Sequence, residues 1–353
     1  MSAAIPVVVA GTGHGGRVHV PALRQAGFGV VGLVGRDAER TRRRAERLGI
    51  PAAFTDLDEA IARTGARAAT VATPPHSHGD LVRIALDRGC HVLCEKPFAR
   101  DAEEARFLLD AAERAGVVHL VGHQMRLSPP RAAAALALAR GEIGAPKLVT
   151  LVQQVDLLHR GIRWPTWWTD PGAGGGWLGA AGSHAVDQIR HWLGEFHTVA
   201  ALLPRVALGE GCAEDSFDIH FTLRCGASGV LQQTAAARGP WTSLIRVVGS
   251  RGTLAVEEGQ AWIADEGGRR VLAPPPELAP PALPAAAGVE EALLAAELPP
   301  AIHLCEGWRR LIEGRNPLPV ALATFADGVA CMEVLDAVRR SARDGGARVV
   351  APL

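Results

Sequence analysis

The chain has 353 residues, enough for two domains, and its 37 basic side chains balance 37 acidic ones. That neutrality removes the electrostatic case for nucleic acid or an anionic membrane as a partner. No apolar run approaches transmembrane length, and Met1-Ser2-Ala3-Ala4 lacks the basic start of a secretory signal. Six cysteines with no C-x-x-C pair point to reduced thiols in the cytoplasm, not to a disulfide frame or a zinc site.

Val7-Val8-Val9-Ala10 reads as a short buried strand, and Gly11, Gly13 and Gly16 after it fit G-x-G-x-x-G. In that pattern the first glycine turns tightly and the second lets the backbone approach a pyrophosphate. The third packs a helix onto the sheet, whose N-terminus offers free amides to the anion. Thr12 and His14 belong to the same loop. A merely structural glycine turn is the competing reading. A helix-compatible segment over 17–26 and a second strand over 30–34 supply the context that favours a dinucleotide.

The end of that second strand bears on which dinucleotide binds. An acid there would accept hydrogen bonds from the adenosine ribose, but the chain has Gly35-Arg36-Asp37, then Arg40, Arg42, Arg43 and Arg44. A small residue followed by Arg36 makes room for a 2′-phosphate and supplies its counter-charge, which favours NADP. Asp37 is the alternative ribose ligand, for NAD. Most of the later arginines read as a solvated helix face.

Strands over 68–72, 91–94 and 117–121 alternate with helices over 81–88 and 102–115, the pattern of a parallel, doubly wound sheet. Its ligands lie beyond the carboxyl ends of the strands, where Thr73-Pro74 and Glu95-Lys96-Pro97 fall. His76 and His78 border the same crevice without carboxylate or cysteine spacing for a metal. Lys96 is one of only two lysines, with Lys147; the other basic residues are arginines. Guanidinium stays protonated, whereas an amine tuned by burial can exchange a proton, so position 96 reads as functional. An ion pair with Glu95 is the bland alternative.

His123-Gln124-Met125-Arg126 follows the last of these strands. Gln124 is expected at the cofactor, and Arg126 either binds substrate or pairs across domains. A second domain follows over 124–353, with strands at 147–155, 198–206, 216–224, 228–237, 243–249 and 252–257, mostly antiparallel. Trp164, Trp167 and Trp168 precede a glycine turn (Gly174-Gly175-Gly176) and a helical stretch carrying Ser183-His184 and Asp187. The tryptophans either stack on a sugar ring or form core. A Pro/Ala-rich loop over 273–287 and helices at about 290–313 and 324–343 close the chain.

Taken together, the glycine loop, Thr73-Pro74 with His78, Glu95-Lys96-Pro97, Gly174-Gly175-Gly176 with His184 and Asp187, and the closing helix resemble the glucose–fructose oxidoreductase/inositol dehydrogenase/MocA family. The resemblance spans essentially the whole chain. It implies an α/β protein with a Rossmann domain (1–123) and a C-terminal α/β domain (124–353) whose open, mostly antiparallel sheet often forms dimers or tetramers; the final helix is allowed to pack back on the first domain. It also implies hydride transfer between NAD or NADP and a carbinol carbon of a sugar, inositol or related polyol. By position, Lys96 and His184 are the catalytic residues, and Glu95 contacts the nicotinamide ribose. Arg126, Trp168 and Asp187 join them as expected substrate contacts.

Alcohol oxidation needs a base for the hydroxyl proton, a role suited to His184, while Lys96 anchors the hydroxyl and shifts its pKa. One departure stands out. Many family members have an aspartate four residues before this histidine, where this chain has Ala180, and no tyrosine exists to act as a phenolic acid. Asp187, at i,i+3 spacing, is the remaining carboxylate within reach of His184 on a helix. A weakened dinucleotide-binding regulator, or transient oxidation serving elimination or glycoside cleavage, are the alternatives that Ala180 keeps open.

Overall fold

The computed structural model describes residues 3–160, 166–279 and 289–351. They divide into two compact units: Met1–Leu127 with Pro280–Val329, and Ser128–Ala279 with Ala330–Leu353. The chain of the first unit therefore resumes after most of the second has been built.

The first unit holds a six-stranded parallel sheet of order β3-β2-β1-β4-β5-β6. Its strands are β1 (Pro6–Ala10), β2 (Gly29–Val34), β3 (Ala53–Phe54), β4 (Ala68–Val71), β5 (His91–Cys94) and β6 (His119–Val121). Val7, Val8 and Val9 are fully buried, as expected of a parallel strand covered on both faces. The intervening helices are α1 (Val20–Gln25), α2 (Ala38–Arg47), α3 (Leu57–Thr64), α4 (His78–Asp87) and α5 (Ala102–Ala115). Aspartates start three of them: Asp37, Asp56 and Asp101 accept from the amides of Arg40, Glu59 and Glu104. Each such cap contributes about 1 kcal/mol. Gly65 and Gly116, in the left-handed region, end α3 and α5.

The long helix Val289–Ile312 belongs to this unit. Arg309 on it donates to the carbonyls of Ala26 and Gly27 at 3.1 and 2.9 Å, covering the exposed end of α1, and Trp308 stacks on Phe28.

The second unit contains α6 (Pro129–Ala139), α7 (Ser183–Leu193) and a nine-stranded sheet. Its strands are β7 (Pro146–Gln154), β8 (Phe196–Leu202), β9 (Ser216–Leu223), β10 (Ser228–Thr234), β11 (Thr242–Gly249), β12 (Thr253–Glu257), β13 (Gln260–Asp265), β14 (Gly268–Val271) and β15 (Val349–Val350). They run in the order β14-β13-β12-β11-β7-β10-β9-β8-β15; β7 and β10 pair in parallel and the other neighbours are antiparallel. α7 lies close on this sheet: a side-chain carbon at Gly182, just before the helix, would stand 3.1 Å from the Phe217 ring of β9.

Among the described residues no helix is long and apolar enough to cross a membrane. The expected loop over 273–287 falls partly outside the described residues, as does Trp164.

Candidate active site

In the first unit the glycine turn stands between β1 and the helix that begins at Gly15 and runs into α1. Gly11 has φ +118°, donates to the Val34 carbonyl, and has no room for a side chain: a Cβ would lie 2.3 Å from the Ala72 oxygen. A Cβ at Gly13 would meet nothing within 4 Å, so bare backbone faces open space before a helix N-terminus. That is the surface a pyrophosphate requires. The helix-to-sheet approach falls on Gly15, 2.9 Å from Val9 Cγ1 at its would-be Cβ, more than on Gly16, which faces Leu48. Thr12 is held by Arg44, whose Nη1 donates to its carbonyl at 2.9 Å and its hydroxyl at 2.6 Å.

The space expected beside Gly35 is filled. A Cβ there would stand 2.5 Å from both Thr12 and Thr41, so glycine serves packing and does not open a phosphate pocket. Asp37 spends one carboxylate oxygen capping α2. Arg42 and Arg43 pair with Glu46 and Glu39 on the exposed helix face. Arg36 is exposed and makes no ion pair or hydrogen bond among the described residues.

Beyond β4 and β5 the two expected turns are tied together by His78. Its wholly buried ring sets Nε2 2.8 Å from the Thr73 carbonyl and Nδ1 3.1 Å from that of Pro97. Burial pushes its imidazole down from the ordinary value despite these carbonyls. His78 was expected at the cofactor; enclosed in this way, it fixes the shape of the Thr73-Pro74 and Lys96-Pro97 turns instead.

Glu95 is the electrostatic centre of this end of the sheet. Its Oε1 lies 2.9 Å from His19 Nε2 and 3.6 Å from His14 Nε2. Burial pushes its carboxyl up, but the two imidazoles outweigh that and hold it well below the usual carboxylate range. Gly122 leaves the carboxylate its space, since a Cβ there would come within 2.6 Å of Oε1. Lys96, half-buried beside it, is shifted the useful way: burial pushes the ammonium down, against the pull of Glu95 and Glu297. An amine so placed gives up a proton more readily than a surface lysine. The sequence spacing signalled no such cluster; the fold assembles His14, His19 and Glu95 from positions up to 81 apart, with donor atoms within 4.8 Å of one another.

Gln124 is buried, and its Oε1 has no hydrogen-bond partner among the described residues. Arg126, expected to meet substrate, is buried in an ion pair: its Nη2 donates to Asp327 Oδ1 at 2.9 Å. Asp327 in turn accepts from the Thr324 amide at the start of the last helix, Phe325–Arg343. Both partners of this ion pair lie in the first unit.

In the second unit the three glycines form a turn too crowded for side chains. A Cβ at Gly175 would lie 2.2 Å from the Trp167 carbonyl, and one at Gly176, with φ +112°, 2.0 Å from Glu214 Oε1. Glu214 escaped the sequence reading because nothing local marks it. Its carboxylate accepts from the Leu178 amide at 3.1 Å and its carbonyl from Trp177, so it caps the helical segment leading to His184. Burial pushes its carboxyl up. Trp168 packs edge-on against Trp167 and Trp177, and the space beside it amounts to about 10 Å³, room for roughly one water. Leu178–Gly182 is a π-helical segment containing buried Ala180, and α7 follows with half-buried His184 one turn on and Asp187 buried beyond it.

Comparisons with known proteins agree with this organisation. Residues 5–123 match the model of an oxidoreductase family with an NAD-binding Rossmann fold, and residues 132–255 match the GFO/IDH/MocA C-terminal domain. The chain belongs to the GFO/IDH/MocA oxidoreductase family. It is 30% identical to D-apiose dehydrogenase of Paraburkholderia graminis over 285 residues, 76% of this chain and 72% of that protein. It is 33% identical to D-xylose 1-dehydrogenase (NADP(+)) 2 of Haloferax volcanii over 184 residues, 52% of this chain and 55% of the other. Levoglucosan dehydrogenase, solved with NADH and levoglucosan, superposes with a TM-score of 0.84 over 99% of both chains at 23% identity, a likeness of fold.

For a GFO/IDH/MocA oxidoreductase the bare-backbone turn, Glu95 held by two imidazoles and the half-buried Lys96 beside it form a set that fits a nicotinamide dinucleotide. At position 180, four residues before His184, the side chain is the buried methyl of Ala180, 5% exposed.

Proposed function

We propose that the chain is a dehydrogenase or reductase of a sugar or cyclic polyol that prefers NADP over NAD. The reading rests above all on Lys96, an amine whose proton affinity is lowered by burial at the carboxyl end of a Rossmann strand, in a chain that uses arginine almost everywhere else. The first unit is the dinucleotide domain, and the second binds substrate and carries oligomer contacts. The turn of Gly11, Thr12, Gly13, His14 and Gly16 would hold the pyrophosphate, with Glu95 on the nicotinamide ribose and Thr73, Pro74 and Gln124 at the neighbouring strand ends.

When bound, the nicotinamide accepts or returns the hydride. The protein's own part is proton handling and orientation. Lys96 anchors the reacting hydroxyl and eases its ionisation, His184 takes the proton, and Asp187 and Trp168 contribute substrate contacts from the second unit. Arg36 supports NADP because its charge is exposed and unspent, while the Asp37 carboxylate already serves α2. One relative is named for NADP and three act on sugars by name, which supports the substrate class.

A panel of aldoses, anhydrosugars and inositols, assayed with NAD and with NADP for reduced nicotinamide, tests the reading. Reduction with at least one member is expected. Failure of the whole panel in both directions, with cofactor demonstrably bound, would refute it.

A further inference from the structure

The second unit holds a guanidinium that none of the roles above uses. Arg131, near the start of α6, faces α7, against which α6 packs. Its side-chain contact is a long 3.5 Å approach of Nη1 to Gln188 Oε1, and no carboxylate lies within ion-pair distance among the described residues. Burial pushes this guanidinium down to about 10. Gln188 is 1% exposed, and its amide nitrogen has no hydrogen-bond partner among the described residues. Gln188 Nε2 is thus a buried donor without an acceptor, and the long contact to Gln188 Oε1 is the one side-chain hydrogen bond of the Arg131 guanidinium among the described residues. Native proteins rarely leave such groups unfilled, because a desolvated charge without a partner destabilises the fold.

We propose that Arg131 and Gln188 form the anion-holding end of the substrate site, so that the substrate is an acidic sugar derivative bearing a carboxylate or a phosphate. The proposal rests on the reading of His184 as the base. Gln188 follows His184 by four residues on α7, hence on the same helix face and about 6 Å along the axis. A substrate held there would carry its acidic group several bonds from the carbinol carbon presented to His184. The planar fork of an arginine suits either oxyanion, with Gln188 Nε2 adding a neutral donor. Asp187, the nearest acid on α7, projects about 100° away around the helix and so does not compete for the same face. Arg131 is only partly enclosed, which leaves the guanidinium a way of meeting a ligand.

Calorimetric titrations of the full chain, with nicotinamide cofactor present, test this using a hexuronate, a hexose phosphate and the matching neutral hexose. One acidic ligand is expected to bind at least about 10-fold more tightly than the neutral sugar, the scale of a charge-assisted contact, and its identity distinguishes carboxylate from phosphate. In Arg131→Met that preference should vanish while thermal stability is kept or raised, because an unpaired buried charge has been removed. A purely structural arginine would give the opposite stability result. Equal binding of acidic and neutral ligands by the parent protein, or a preference that survives in Arg131→Met, would overturn the proposal. Anion-dependent binding with no nicotinamide reduction for any sugar would instead sink the dehydrogenase reading and leave the anion site standing.

Discussion

Lys96 and Arg36 are both cations at the carboxyl end of the first sheet, yet they answer to different requirements. Lys96→Arg keeps the charge and removes the titration, so turnover should fall by at least about 100-fold, the lower scale of general acid–base catalysis, while cofactor affinity largely survives. Near-parental turnover in that variant would take Lys96 out of the chemistry. Arg36→Ala removes only a counter-charge, and NADPH binding should weaken by about 1–3 kcal/mol with NADH little changed. Equal losses for both cofactors would remove the basis for NADP preference. At position 180 the predicted effect is on pH. A carboxylate placed there by Ala180→Asp would favour the imidazolium of His184, so the His-dependent limb of the kcat profile should move to higher pH. An unchanged profile in a folded, active variant would show that position 180 does not communicate with the base. Because Ala180 is buried within the π-helical segment, weakened substrate binding with no pH shift would identify it as a space-making residue instead.

At the scale of elements, helices and strands carried by strong local pattern were legible, and those set by partners were not. The apolar runs of β1, β2, β4 and β5 and the Gly-terminated α5 announce themselves in the sequence. β13 and β14 do not: Gln260–Asp265 alternates weakly between two glycine turns and is a strand because it pairs antiparallel with β12. β8 stops at Leu202, short of the expected 206, because Pro204 cannot extend a ladder. The Val206–Leu208 loop is held by Asp215, whose two oxygens accept from the amides of Val206, Ala207 and Leu208 at 2.8 Å each. Burial pushes this carboxyl up, but the three amides and Ser216 outweigh it, so the folded-state value lies below the ordinary one. Its stabilisation is therefore fully present above the ordinary carboxylate value and lost as pH falls through the folded value. Asp215→Asn should cost about 1–3 kcal/mol in urea unfolding at neutral pH and progressively less in acid. A deficit independent of pH would contradict that account.

For the whole molecule, the pair of architectures and the place of Lys96 just beyond β5 were legible, while the histidine-bound state of Glu95, the Glu214 cap and the return of 280–329 to the first unit were not. Those features depend on residues brought together across long stretches of chain, which no local spacing encodes. Leu148, Leu202, Trp241 and Val271 remain exposed on the second unit. The oligomer contacts proposed for that unit predict the mass of a dimer or tetramer in light scattering; a monomer at micromolar concentration would exclude them. The proposed function requires hydride to pass directly between a carbinol carbon and the nicotinamide. The most direct measurement incubates the protein with oxidised cofactor and the active sugar deuterated at its reacting carbon, then weighs the reduced cofactor by mass spectrometry. One deuterium per reduced nicotinamide is the predicted result, and its loss with turnover in Lys96→Arg the predicted control. Reduced cofactor without deuterium, or conversion of the sugar with no reduced cofactor accumulating, would contradict it.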